Sequence, residues 1–246
     1  MTDQRSPRIY WGVQVLLLSS IVAWAYLDPQ FGLFADSLNL PLKILASQFG
    51  VSRLVAGAVV AVLAPATMLR LLVGMAGPSR TFRSLGALLV ITTLVGLWCG
   101  LAVGHPTISW LGKRARMVGR VDQLESIARS LREDWPRQDG EIAELGPYMA
   151  YPFGQPSTLI LLTPPQLTRD GTSVSAVERT DSGALLFQLS GIEGSDWAEW
   201  HPESSLPQSF KGGLGDLHQL SAKLPLGHGW YLVRYAGQLQ REPSAG

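Results

Sequence analysis

Residues 85–103, LGALLVITTLVGLWCGLAV, contain no charged side chain across 19 positions, and two further stretches, 9–27 and 54–74, are nearly as apolar. At 1.5 Å of rise per residue, about 20 helical residues match a hydrocarbon core about 30 Å thick. Three such stretches fill the first hundred residues and none follows. The sequence therefore predicts three transmembrane α-helices, then a soluble α+β domain. In outline it is a small bacterial-style membrane anchor, residues 1–104, a linker at 105–116, a domain at 117–237 and a disordered tail at 238–246.

The whole-chain averages, net charge +1 and 16% charged residues, conceal two unlike halves. Nearly all the acids lie after residue 110. That segment is long enough to bury a core of its own. A near-neutral balance without a basic stripe argues against a nucleic-acid partner. Cys99 is the single cysteine, so no intrachain disulfide forms.

The first stretch has the basic lead of a signal peptide (Arg5, Arg8). It is followed, however, by Tyr26-Leu27-Asp28-Pro29 rather than small residues, and aromatics stand at both ends (Tyr10, Trp11; Trp24, Tyr26). Such rings favour the two bilayer interfaces, so an uncleaved span is predicted. In the second span Pro65 predicts a kink. Arg70 reads as a side chain snorkelling to the interface, with an ion or proton path as the functional alternative.

Small residues four apart, Gly57 and Ala61 in the second span and Gly96, Gly100 and Gly104 in the third, form strips that permit close helix approach. A short loop at 77–83 would place the strips at one depth. They are expected to pack on each other, a homodimer face being the alternative. Between the first two spans, Leu38, Leu42, Leu45 and Phe49 recur at helical spacing behind Pro41, predicting an amphipathic helix at 41–49. Placing the N-terminus in the cytoplasm leaves Arg5, Arg8, Arg80 and Arg83 inside, as the positive-inside rule prefers. Lys113, Arg114, Arg116 and Arg120 then fall outside, which weighs against it. The expectation is a multi-pass protein of the cell membrane with an extracytoplasmic C-terminal domain.

In the soluble part, Met117, Val121, Leu124, Ala128, Leu131 and Trp135 make an a/d stripe closed by Pro136. It predicts a helix laid on a sheet, or a short coiled coil. Strand-like runs follow at 147–153, 158–163, 173–179, 184–190, 196–201 and 229–235. Asp181-Ser182-Gly183 marks the clearest hairpin. Leu214, Leu217, Leu220 and Leu224 predict a brief helix before Pro225. The expected architecture is a mainly antiparallel sheet of five or six strands.

Asp196-Trp197-Ala198-Glu199-Trp200-His201 is the densest polar and aromatic cluster. On a strand, Glu199 and His201 share a face, as an acid/base pair or half a metal site completed by His218 or His228 would require. No tight ligand pair such as His-x-x-x-His supports a metal, and none is predicted. No cofactor is predicted either. The glycines of Lys211–Asp216 lack Walker spacing and read as a loop, and Ser182 reads as a hairpin residue. Trp197, Trp200, Trp230 and Tyr231 are the candidate binding surface, with the domain core as their alternative role. These residues point to a membrane-tethered, non-enzymatic interaction or sensing module. Its expected partners are the lipid bilayer and a protein or envelope component. The alternatives are a structural subunit of a larger membrane complex, or a hydrolase using Glu199 and His201.

Overall fold

The computed structural model describes residues 6–76, 85–167, 171–191, 196–203, 205–213 and 215–236. The expected 77–83 loop with Arg80 and Arg83, Leu214 and the 238–246 tail lie outside these. The chain divides into two compact units, Met1–Gly112 and Lys113–Gly246.

The first unit is helical: α1 Ser6–Leu27, α2 Phe31–Asp36, α3 Leu42–Phe49, α4 Val51–Ala76 and most of α5, Leu85–Val118. Three of these helices, α1, α4 and α5, have the length and apolar composition needed to cross a membrane. Their flanks are apolar yet bare, with Leu16 at 66%, Val62 at 63% and Leu89 at 68% exposure. Helices apolar on all sides suit a lipid solvent and not water.

A buried glutamine pins these helices together. Gln14 Nε2 donates to the Ala64 carbonyl at 2.7 Å and to Thr67 Oγ1 at 2.6 Å, while Trp98 Nε1 donates to Gln14 Oε1 at 2.9 Å. These bonds lie beside Pro65, inside the helical span of α4. In hydrocarbon no water competes for such donors, so the node fixes the rotation of α1, α4 and α5. At the helix ends, Arg53 grips Asp28 with two bonds, Nε to Oδ2 at 2.7 Å and a second nitrogen to Oδ1 at 3.1 Å. Burial pushes the Asp28 carboxyl up, but Arg53 and Trp24 Nε1 outweigh it and hold the pKa below the usual range. The apolar face of α3 is spent locally, as Leu45 and Phe49 are buried against Phe34.

The glycine strips do not meet. A Cβ added at Gly96, Gly100 or Gly104 encounters nothing within 4 Å. Gly57 is instead occupied by Phe34, whose Cζ would stand 3.0 Å from a Cβ there. The tightest approach in this unit occurs at Gly112, where a Cβ would lie 2.0 Å from the Tyr26 carbonyl oxygen. The expected 105–116 linker is helical throughout: α5 continues past Pro106. A proline removes only one N–H, and its φ is compatible with helix.

The a/d stripe straddles a break. Met117 lies in the last turn of α5, Gly119 and Arg120 turn the chain, and α6 runs Val121–Glu133. Leu124, Ala128 and Leu131 are fully buried, so the stripe serves this unit's own core.

Nine strands, not five or six, form one antiparallel sheet among the described residues. They are β1 Gly140–Ile142, β2 Gly146–Tyr151, β3 Thr158–Leu161, β4 Ser173–Arg179, β5 Leu185–Ser190, β6 Trp197–Trp200, β7 Phe210–Lys211, β8 Leu217–Gly227 and β9 Trp230–Ala236. The spatial order is β1-β2-β3-β4-β5-β6-β9-β8-β7. The expected helix around Leu217–Leu224 is strand β8. Its burial alternates residue by residue, with Leu226 buried and Leu217 60% exposed, so a period of two overrides the leucine spacing. Pro225 is accommodated beside a bulge between Pro225 and Gly227.

Register assigns the faces. Leu159, Val177, Phe187, Ala198 and Leu232 lie opposite one another across five strands, and all are completely buried. Trp230 shares this face, with its ring 5.4 Å from Phe187. Helix α6 covers it: Trp230 Nε1 donates to Glu125 at 3.0 Å, and the Arg132 guanidinium lies 4.1 Å over the Trp200 ring. The other face carries Glu178, Leu186, Glu199 and Tyr231 in one row, and Trp197, Val233 and Tyr235 beside it. Phe210 packs over that second core.

Candidate functional site

Glu199 and His201 share the second face as their alternation requires, and both are buried. His201 Nε2 stands 2.8 Å from Glu199 Oε2. The other carboxylate oxygen accepts the Tyr235 hydroxyl at 2.5 Å, and His201 Nδ1 meets Ser205 Oγ at 3.0 Å. The result is a four-membered chain, Tyr235–Glu199–His201–Ser205. Burial and the adjacent Glu199 carboxylate push the Tyr235 pKa far upward, so the phenol remains a donor.

His218 lies near this group but in a different contact set. It stacks on Phe210 with centroids 4.6 Å apart and pairs with Asp216 at 2.6 Å. Among the described residues Thr158 Oγ1 and Asp216 Oδ1 are buried without a hydrogen-bond partner. The Lys211–Asp216 glycines form the β7–β8 turn, and its Gly213 N–H donates to Glu178 Oε2 at 3.2 Å. Desolvation pushes the Glu178 carboxyl upward against that bond. His228 stands apart, at a left-handed φ of 53° in the β8–β9 turn. Among the described residues no group of three or more His, Cys, Asp or Glu is arranged to hold a metal. Ser182 sits in its hairpin turn, with its hydroxyl 2.9 Å from Thr180 Oγ1.

The aromatic binding face does not form as drawn. Trp230 is 0% and Trp197 3% exposed, so both are core residues. Trp200 and Tyr231 are half-buried, with Trp200 beneath Arg132. Large flat rings on alternating positions are what two opposed sheet cores consume.

Two arrangements had no motif to announce them. Asp196 joins Lys113 and Arg234: Nζ lies 3.0 Å from Oδ2, and Arg234 Nε 2.8 Å from Oδ1. Burial raises the Asp196 pKa, but the two cations win and hold it below the usual carboxylate range. The other is an open cleft of about 780 Å³, walled by the end of α6 and by the β2–β3 and β4–β5 turns. Arg132, Arg137, Arg179, Glu133, Asp134 and Asp181 line it. Trp135 lies there with Nε1 bonded to the Pro156 carbonyl at 2.7 Å and the Arg179 guanidinium 5.8 Å from its ring. Arg132 and Arg137, at and just after the end of α6, and Arg179, at the end of β4, converge here, a meeting that no spacing in the sequence reveals.

The chain matches no protein-family model, no curated protein and no solved structure.

Proposed function

We propose that this chain is a membrane-tethered binding module, held in the cell membrane by α1, α4 and α5. Its sheet domain takes a polar ligand or partner segment in the Trp135–Arg179 cleft. The cleft carries the reading. It has the volume of a ligand site, its charges of both signs are balanced, and Trp135 is fixed in place by its own hydrogen bond. Three cations beside three anions favour a partner that presents both signs, or many neutral polar groups, over a polyanion. The reading moves the interaction from the four aromatics to this cleft. On this reading the N-terminus is cytoplasmic and the sheet domain lies outside, as the positive-inside count over Arg5, Arg8, Arg80 and Arg83 favours.

Photo-crosslinkers at Arg137 and Asp181 in native membranes test the cleft. The expected result is one discrete adduct from both positions, lost when Arg179 is replaced by Ala. An equal adduct from Leu217, on a strand outside the cleft lining, would refute it. Protease digestion of sealed cells tests the sidedness: external protease should cleave the sheet domain.

A second reading, as a subunit of a larger membrane complex, is favoured by the open strip at Gly96, Gly100 and Gly104. It is favoured too by an apolar groove of about 370 Å³ lined by Ala61, Pro65, Trp98 and Cys99. Because Cys99 is exposed beside the strip, oxidative crosslinking in native membranes should yield a disulfide dimer if the strip pairs two copies.

A further inference from the structure

Strand β6 carries Glu199, His201 follows its last residue on the same face, and the chain then turns sharply, with the Ser205 N–H donating to the Pro202 carbonyl at 2.9 Å. That turn brings Ser205 Oγ to 3.0 Å from His201 Nδ1, while Nε2 of the same ring faces Glu199 Oε2 at 2.8 Å. We propose that Ser205 is a nucleophile, that His201 is its base and Glu199 the positioning residue, and that together they perform acyl transfer on a carboxylic ester.

The hydrogen-bond directions carry the argument. Tyr235 O–H donates to Glu199 Oε1, which leaves Oε2 of an ionised Glu199 as the acceptor facing His201 Nε2. An accepting carboxylate requires Nε2 to bear the imidazole proton, which leaves the Nδ1 lone pair for the Ser205 hydroxyl. A nucleophile in reach of a base, with the base oriented by a third group, is the general signature of an activated serine, whatever the residue order. Glu199 is fully buried and His201 nearly so, whereas Ser205 is half-buried beside exposed Leu206. The buried end supplies the electrostatics and the open end admits an ester.

In the first step Ser205 Oγ bonds to the acyl carbon and its proton passes to His201 Nδ1. Glu199 stabilises the imidazolium. The carbon–oxygen bond to the leaving alcohol breaks, and the alcohol takes that proton. Water then attacks the acyl-serine, giving its proton to the same nitrogen. The acid departs and Ser205 regains its hydrogen. No oxidant or reductant is needed. The inference is independent of the Trp135–Arg179 cleft.

The full-length protein in detergent, treated with an alkyl fluorophosphonate, tests it. Peptide mass spectrometry should find one phosphonyl group, on Ser205, with a labelling rate that rises with pH. Heat-unfolded protein and Ser205→Ala should remain unlabelled, and Ser205→Ala should lose hydrolysis of p-nitrophenyl butyrate. Glu199→Gln should slow labelling at least about tenfold and move the pH midpoint downward, which a purely structural carboxylate would not do. Absence of label on folded Ser205, equal labelling after unfolding, or an unmoved pH midpoint in Glu199→Gln would each overturn the proposal.

Discussion

Replacing Asp196 by Asn strips the charge from a buried ion cluster in the sheet unit while keeping its shape. Lys113 is 2% exposed and Asp196 3%, whereas the Arg234 side chain is 38% exposed. Arg234 can rehydrate once its partner is neutral, but Lys113 cannot. Removing one partner from a buried ion pair costs about 3–5 kcal/mol. Hydrogen exchange on the full-length protein reads this directly, since core strands open with free energies approaching the global value. Amides of β6 and β9 should exchange about two to three orders of magnitude faster in the variant, at about 1.4 kcal/mol per tenfold. The double variant Lys113→Met with Asp196→Leu should recover most of the loss, because replacing a buried pair by apolar groups is close to neutral. The pH dependence has a definite sign. The folded-state pKa of Asp196 is depressed, so its contribution is complete above the ordinary carboxylate pKa. It is lost as pH falls through the lower folded value, and the Asn variant should lack that acid transition. A change below about fivefold in exchange for Asp196→Asn would refute the assignment of this cluster as a buried, mutually dependent set.

Glu178→Gln should be neutral or stabilising at neutral pH. Its folded pKa is raised, so wild-type stability falls as pH rises through the unfolded and then the folded value, and denaturant titrations at several pH values should show that slope vanish in the variant. Gln14→Leu should lower the thermal midpoint of the detergent-solubilised protein by the equivalent of about 1–2 kcal/mol, since Trp98 Nε1 loses its acceptor. Trp230→Ala should cost about 3–5 kcal/mol in denaturant titration, because the ring is wholly buried against Phe187. Trp200→Ala, at a half-buried site, should cost less.

Elements built on long, uniform patterns were legible in the sequence. The three apolar stretches became the three long helices, and the β4–β5 hairpin formed around Asp181-Ser182-Gly183. Alternation placed Glu199 and His201 on one face before any contact was known. What failed depended on tertiary context. Leucines at 217, 220 and 224 fit a helical spacing, and only pairing with β9 resolves them as β8. His105-Pro106 looked like a terminus, yet α5 absorbs the proline. The glycine strip indicated where a close approach was permitted, not where one occurs; Gly112 against Tyr26 carries it instead. Ser205 and Tyr235 come from a loop and a strand, and the cleft arginines from the end of α6, the residues just after it, and β4. Their meeting is a product of the sheet's register and has no signature in spacing.

The account rests on a partition between a lipid-embedded helical unit and a sheet unit that folds by itself in water. Expression of residues 113–236 alone, followed by circular dichroism and thermal melting without detergent, tests it most directly. A β-rich spectrum with near-ultraviolet tryptophan signals and one cooperative melt is predicted. A coil spectrum, or structure that appears only when detergent is added, would contradict it.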